Sequence, residues 1–136
     1  MSYHPTDKDN STRKMLIILS VTGAAAVAAG AFGSHSLKAL LTEAQLQTFQ
    51  IGVTYQFYHV LAMAIVLVWH RVCPDKVLNM SFYLFFSGIL LFSGSLYLLS
   101  TSDITGFNLK SILGPLTPIG GLLYIAGWLN LSRMKL

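Results

Sequence analysis

The sequence predicts an all-α integral membrane protein, a bundle of four transmembrane helices with its N- and C-termini cytoplasmic. Three observations predict it. Apolar side chains make up 54% of the 136 residues and charged ones only 10%, whereas soluble domains carry roughly 25% charged residues; mean hydropathy is +0.61. The charges are also segregated. From Lys14 to Lys38, Glu43 to Arg71, Lys76 to Asp103 and Lys110 to Arg133 the chain runs uncharged for 23, 27, 26 and 22 residues. A helix rising ~1.5 Å per residue crosses ~30 Å of hydrocarbon in about 20 residues, so each window is long enough to span. Finally, the nine Lys and Arg residues flank these windows, where they meet lipid headgroups. This composition excludes a nucleic-acid partner, a secreted disulfide scaffold and a disordered tail protein. It names no reaction. Cys73 is the single cysteine, so no internal disulfide can form.

Residues 1–14 are polar, contain Pro5 and show no apolar period, which reads as a short mobile tail ahead of a transmembrane domain over 15–136. The first span, about 15–33, is built from small residues. Its row Ala26, Gly30, Ser34 favours close backbone contact with another helix. Thr42-Glu43-Ala44-Gln45 reads as a capping box that starts the second helix, because the threonine hydroxyl and the glutamine side chain can satisfy free amides at a helix start. Residues 42–50 then form a protruding or interfacial beginning, with Leu46, Phe49 and Val53 as its apolar face, and the span itself covers about 51–71. Pro74 and Asp75 turn the chain into a third span, about 77–100. Gly106 and Asn108 mark the next connection as a loop. The fourth window, about 113–131, holds Pro115 and Pro118, so its helix either starts near Pro118 or is broken in its outer half.

Four crossings place Lys8, Arg13, Lys14, Arg71, Lys76, Arg133 and Lys135 on one side and only Lys38 and Lys110 on the other. The side richer in basic residues is cytoplasmic, which puts the protein in the cytoplasmic (inner) membrane with both termini inside. Trp69 and Trp128 fall at the inner boundary, as interfacial anchors do. Arg13-Lys14, the apolar run behind them and either Ala26-Val27-Ala28 or Ala29-Gly30-Ala31 also carry the three parts of a cleavable signal peptide.

Four blocks of sequence carry a resemblance. They are Gly30-Ala31-Phe32-Gly33-Ser34-His35; Gly52 with Tyr55-Gln56-Phe57-Tyr58-His59; Phe92-Ser93-Gly94-Ser95-Leu96-Tyr97; and Thr117-Pro118-Ile119-Gly120-Gly121 with Gly127-Trp128. In this order, over about Met15 to Leu131, they resemble the YgdD-like small membrane proteins. Ser34 stands where that pattern commonly has alanine. The resemblance implies a four-helix inner-membrane protein without an established biochemical activity. It also argues against signal cleavage, which would split off the first block.

In the predicted topology the blocks converge on one level toward the outer side. Histidine and glutamine are costly in hydrocarbon and normally face a bundle interior or a wet cavity. The resulting expectation is an outward-facing polar pocket lined by His35, Tyr55, Gln56, His59, Ser95, Tyr97 and Thr117. Gly30, Gly33, Gly52, Gly94, Gly120 and Gly121 are expected as close-contact positions and Pro118 as a kink. The bland reading of each is a partner in helix packing: His59 as an interhelical hydrogen-bonding group, Gln56 as a bridge, the tyrosines as packing aromatics, His35 as a solvated boundary residue. Asp103 and Glu43 read as solvated loop charges.

Motifs for enzyme chemistry are missing. The chain has no HExxH, GxSxG, paired cysteines or phosphate-cradling glycine loop, and His35 and His59 lack an embedded carboxylate to complete a metal site. No cofactor or metal is implied. The leading expectation is a structural or accessory bundle that binds membrane lipids, a membrane-protein partner or a second copy of itself. The alternative is a small transporter or channel component working through the pocket around His35 and His59. A membrane enzyme acting on lipid or quinone ranks last.

Overall fold

A computed structural model describes residues 7–106 and 110–134. Four long helices follow one another: the first over Asp7–His35, the second over Glu43–Val72, the third over Lys76–Ser100 and the fourth over Lys110–Leu131. All four are long and apolar enough to cross a membrane. At 1.5 Å per residue the second helix is about 45 Å long, so it overreaches a hydrocarbon layer of about 30 Å.

The helix starts follow local chemistry. Thr42 caps the second helix with a complete capping box, in which Gln45 N–H donates to Thr42 Oγ1 and Thr42 N–H donates to Gln45 Oε1 at 3.0 Å. Asp75 caps the third helix by accepting from Val77 N–H at 2.6 Å. Between the first two helices, a single 3-10 turn at Leu37–Ala39 folds Leu37 and Leu41 onto Phe49, with Leu46 and Val53 packed around them. The apolar face expected of the protruding start is thus covered by the connecting segment.

Neighbouring helices run antiparallel. Gly23, Gly30 and Gly33 of the first helix meet Val60, Val53 and Phe49 of the second in reverse order. Ser81, Gly88 and Ser95 of the third meet Gly127, Tyr124 and Thr117 of the fourth. The second, third and fourth helices share the main core, in which Met63, Leu78, Phe82 and Phe85 are fully buried and Tyr124 nearly so. The first helix packs chiefly on the second and adds Met15 to that core.

Several features depart from expectation. Regular helix begins at Asp7 rather than near Met15. No proline or glycine interrupts residues 7–14, so the helix propagates outward from the apolar span at little cost. The fourth helix runs unbroken from Lys110 through Pro115 and Pro118, both exposed. Each proline removes one internal N–H donor. Both stand toward the helix start, and Thr117 Oγ1 lies 3.5 Å from the carbonyl of Leu113 beside them. The third connection holds a one-turn helix at Ser102–Thr105, closed by Gly106 at a φ of 71° that favours glycine; Asn108 lies outside the described residues.

The third helix contains a π turn at Ile89–Ser93, where the Gly94 N–H reaches back to the Ile89 carbonyl. Here the fourth helix approaches closest. A Cβ on Gly120 would stand 2.4 Å from the Phe92 backbone nitrogen. Added methyls would also crowd ring atoms at Gly33 (2.9 Å from Phe49), Gly52 (2.9 Å from Tyr97), Gly88 (2.5 Å from Tyr124) and Gly127 (2.6 Å from Phe85). Gly30 and Gly121 have ordinary spacing at 3.5 and 3.8 Å. Gly94, expected as a close-contact glycine, has nothing within 4 Å, because it leaves the π turn facing open space.

Two substitutions separate these roles. Gly120→Ala forces backbone apart and is expected to lower unfolding free energy in detergent by about 1–3 kcal/mol. Gly94→Ala, in an unobstructed helical position, should be neutral or raise it by about 0.5–1 kcal/mol. Thermal unfolding of both variants checks the pair; equal effects would contradict the packing described.

Candidate functional site

Four groups of polar side chains tie the helices together. In the first, Gln56 of the second helix is 4% exposed and uses both ends of its amide. Its Nε2 donates to the Thr22 carbonyl of the first helix at 2.9 Å, and its Oε1 accepts from the Tyr97 hydroxyl of the third at 2.6 Å. One side chain therefore ties three helices together. The Thr22 hydroxyl is satisfied within its own helix, donating to the Ile18 carbonyl at 2.6 Å.

In the second group, Ser95 Oγ and Thr117 Oγ1 lie 2.7 Å apart, joining the third and fourth helices. The Ser95 hydroxyl is also 2.9 Å from the Phe92 carbonyl within the π turn. One hydroxyl hydrogen per side chain suffices, with Thr117 donating to Ser95 and Ser95 to Phe92.

The third group surrounds His59, which is 5% exposed. Its Nδ1 lies 2.8 Å from the Tyr55 carbonyl, which can only accept, so Nδ1 carries the proton. Nε2 then offers a lone pair to the Trp128 indole N–H at 3.4 Å. The neutral tautomer is fixed from both sides. The imidazole lies parallel to the Tyr124 ring, with centroids 3.4 Å apart and planes 6° apart, and Phe85 closes the cage at 5.5 Å. Trp128, expected as a boundary anchor, is 52% exposed and also contacts His59 and Phe85.

The fourth group lies at the start of the third span and the end of the fourth, which the sequence places inside. Asn130 Nδ2 donates to the Val77 carbonyl and to Ser81 Oγ, each at 2.9 Å, while Ser81 donates to the Gly127 carbonyl at 3.2 Å. At the opposite end, Gln45 Nε2 donates to Asp103 Oδ2 at 2.6 Å, which links the start of the second helix to the third connection. Asp103, expected as a solvated loop charge, is held there. Among the described residues one buried polar side-chain atom, Asn79 Oδ1, lacks a hydrogen-bond partner.

The sequence-predicted site residues are therefore divided among these groups. Gln56 meets Tyr97, Ser95 meets Thr117, and Tyr55 offers its carbonyl to His59 while its ring, 41% exposed, packs on Phe92. They do not line one pocket. His35 stands apart, exposed at the end of the first helix. Thr22, Ser81, Tyr124 and Asn130 belong to the polar groups and were missed. Asn130 carried the clearest signal, as the one amide in the fourth apolar window, and Tyr124-Trp128 had helical spacing. Among the described residues no cluster of three or more His, Cys, Asp or Glu could hold a metal.

Residues 29–121, which include the Gln56–Tyr97 and Ser95–Thr117 pairs, match the family described as "Protein of unknown function (DUF423)". The chain belongs to this family. It is similar to the UPF0382 membrane protein SAB0533 of Staphylococcus aureus (strain bovine RF122 / ET3-1), 41% identical over 119 residues that cover 87% of this chain and 92% of the relative. The UPF0382 membrane protein YwdK of Bacillus subtilis (strain 168) is 39% identical over 122 residues, covering 85% and 91%. A UPF0382 membrane protein of Haemophilus influenzae is 34% identical over 119 residues, covering 88% and 90%. No solved structure matches the chain significantly. Family membership and four span-length helices make this an all-helical membrane protein, and its family is one without an assigned activity.

Proposed function

We propose that the protein is a structural or accessory bundle of the cytoplasmic membrane, with both termini in the cytoplasm, that binds lipid or a membrane-protein partner through its outer surface. The observation that carries this reading is the mutual satisfaction of the polar side chains at Gln56 and His59. Both ends of the Gln56 amide and both nitrogens of His59 are occupied by protein partners. Groups kept for a substrate would instead converge on a cavity with free donors or acceptors. The transporter alternative drew support from a broken fourth helix, and the unbroken Lys110–Leu131 helix removes that support. The orientation rests on the excess of Lys and Arg at one end of the spans.

On this reading His59→Ala loses a stacked ring and a helix-to-helix contact and should cost about 2 kcal/mol of stability. Proton flux in pyranine-loaded proteoliposomes should match that of empty vesicles for both wild type and variant. His59-dependent flux with unaltered thermal stability would contradict the reading.

The orientation has a separate check at exposed Cys73. An impermeant maleimide applied to intact cells should leave this thiol unlabelled until the membrane is opened. Labelling from outside reverses the topology.

A further inference from the structure

The first two helices do not close completely on each other. Between them lies a cleft of about 260 Å³ lined by Gly30, Gly33, Ser34, Gln50, Val53 and Thr54, among others. The small residues of the first helix supply its floor. Ser34 spends its hydroxyl hydrogen on the Gly30 carbonyl at 2.9 Å. Gln50 and Thr54 are different: among the described residues neither side chain has a hydrogen-bond partner, and both are exposed at the cleft. Gln56, Ser95, His59 and Asn130 spend their polar atoms on neighbouring helices, whereas these two present spare donors to whatever enters.

Depth identifies what they meet. Arg71 on the second helix and Lys14 on the first close the uncharged windows, and charges at such positions sit at the face of the hydrocarbon layer. Counted from them at 1.5 Å per residue, Thr54 stands about 26 Å away, Ser34 about 30 Å and Gln50 about 32 Å. With hydrocarbon ~30 Å thick, the three straddle the opposite boundary, where acyl chains join the glycerol backbone. Ester carbonyls lie at that depth and accept hydrogen bonds. The Gln50 amide and the Thr54 hydroxyl are donors.

We propose that this cleft seats the glycerol-ester region of one membrane phospholipid, with Gln50 Nε2 and Thr54 Oγ1 donating to its ester carbonyls. The inference deepens the lipid-binding reading above and rests on it. A lipid fits better than a second copy of the chain, because a partner helix would have to bring its own acceptors to this depth, whereas every diacyl phospholipid already carries them.

The test uses the full chain in detergent, observed by native mass spectrometry. It is titrated with dioleoyl phosphatidylglycerol and, in parallel, with the diether analogue, which keeps headgroup and chains but has no carbonyls. The ester lipid should bind as a single retained equivalent about ten-fold tighter than the ether, the effect of losing one or two modest hydrogen bonds. The double variant Gln50→Leu, Thr54→Val should bind both lipids alike. Equal binding by wild type, no retained lipid, or a protein dimer in place of the lipid adduct would each overturn the proposal. A double variant that still prefers the ester would do the same, and if it misfolds, the wild-type comparison alone decides. The accessory reading is judged separately, by His59 stability and proton flux, so the cleft assignment can fail without it.

Discussion

A polar side chain inside a lipid layer has no water to fall back on, so it must find its partner in the protein. In this bundle that constraint falls most heavily on Gln56. Its amide can be satisfied only if the Thr22 carbonyl and the Tyr97 hydroxyl arrive from two different helices at the same height. A one-residue slip of either neighbour would move its partner by about 1.5 Å along the axis and turn it through about 100°. The amide therefore fixes the register of three helices at once. Apolar packing against lipid tails of similar polarity could not do this alone, because sliding one greasy helix past another costs little there.

The π turn at Ile89–Ser93 works within the same constraint. Its extra residue rotates the remainder of the third helix by about 100° relative to the part before it. Beyond it, Ser95 faces Thr117 on the fourth helix while Tyr97 faces Gln56 on the second. Phe82 and Phe85, before it, remain buried in the main core. At the same height Gly120 brings the fourth helix against the Phe92 backbone. Close approach, altered register and the serine–threonine pair are thus one local arrangement. His59 adds rigidity one level away, since its tautomer is set by the Tyr55 carbonyl and its ring by Tyr124.

Much of this was legible in the sequence because charge and length are global constraints. The four uncharged windows could hardly be anything but spans, and the Thr42 capping box marks a helix start through local chemistry alone. Gly33, Gly52 and Gly120 were recognisable as contacts, and Gln56 as a bridge. What escaped depends on three-dimensional arrangement. A π turn has no composition of its own. The prolines looked like a break because their missing donors are visible in sequence, yet both stand exposed toward the helix start and the helix runs through them. Convergence on one level suggested one pocket, but height alone does not say which faces meet, and the polar residues divided into pairs across different helix interfaces.

The most direct test of the central claim is a double-mutant cycle on Gln56 and Tyr97. Reversible unfolding would be followed in bilayer-like discs for wild type, Gln56→Leu, Tyr97→Phe and the double variant. If the amide pins the helices, the two substitutions should be coupled by about 0.6–1.7 kcal/mol, the range of interhelical hydrogen bonds in membranes. Strictly additive effects, with no coupling between the two sites, would contradict the account.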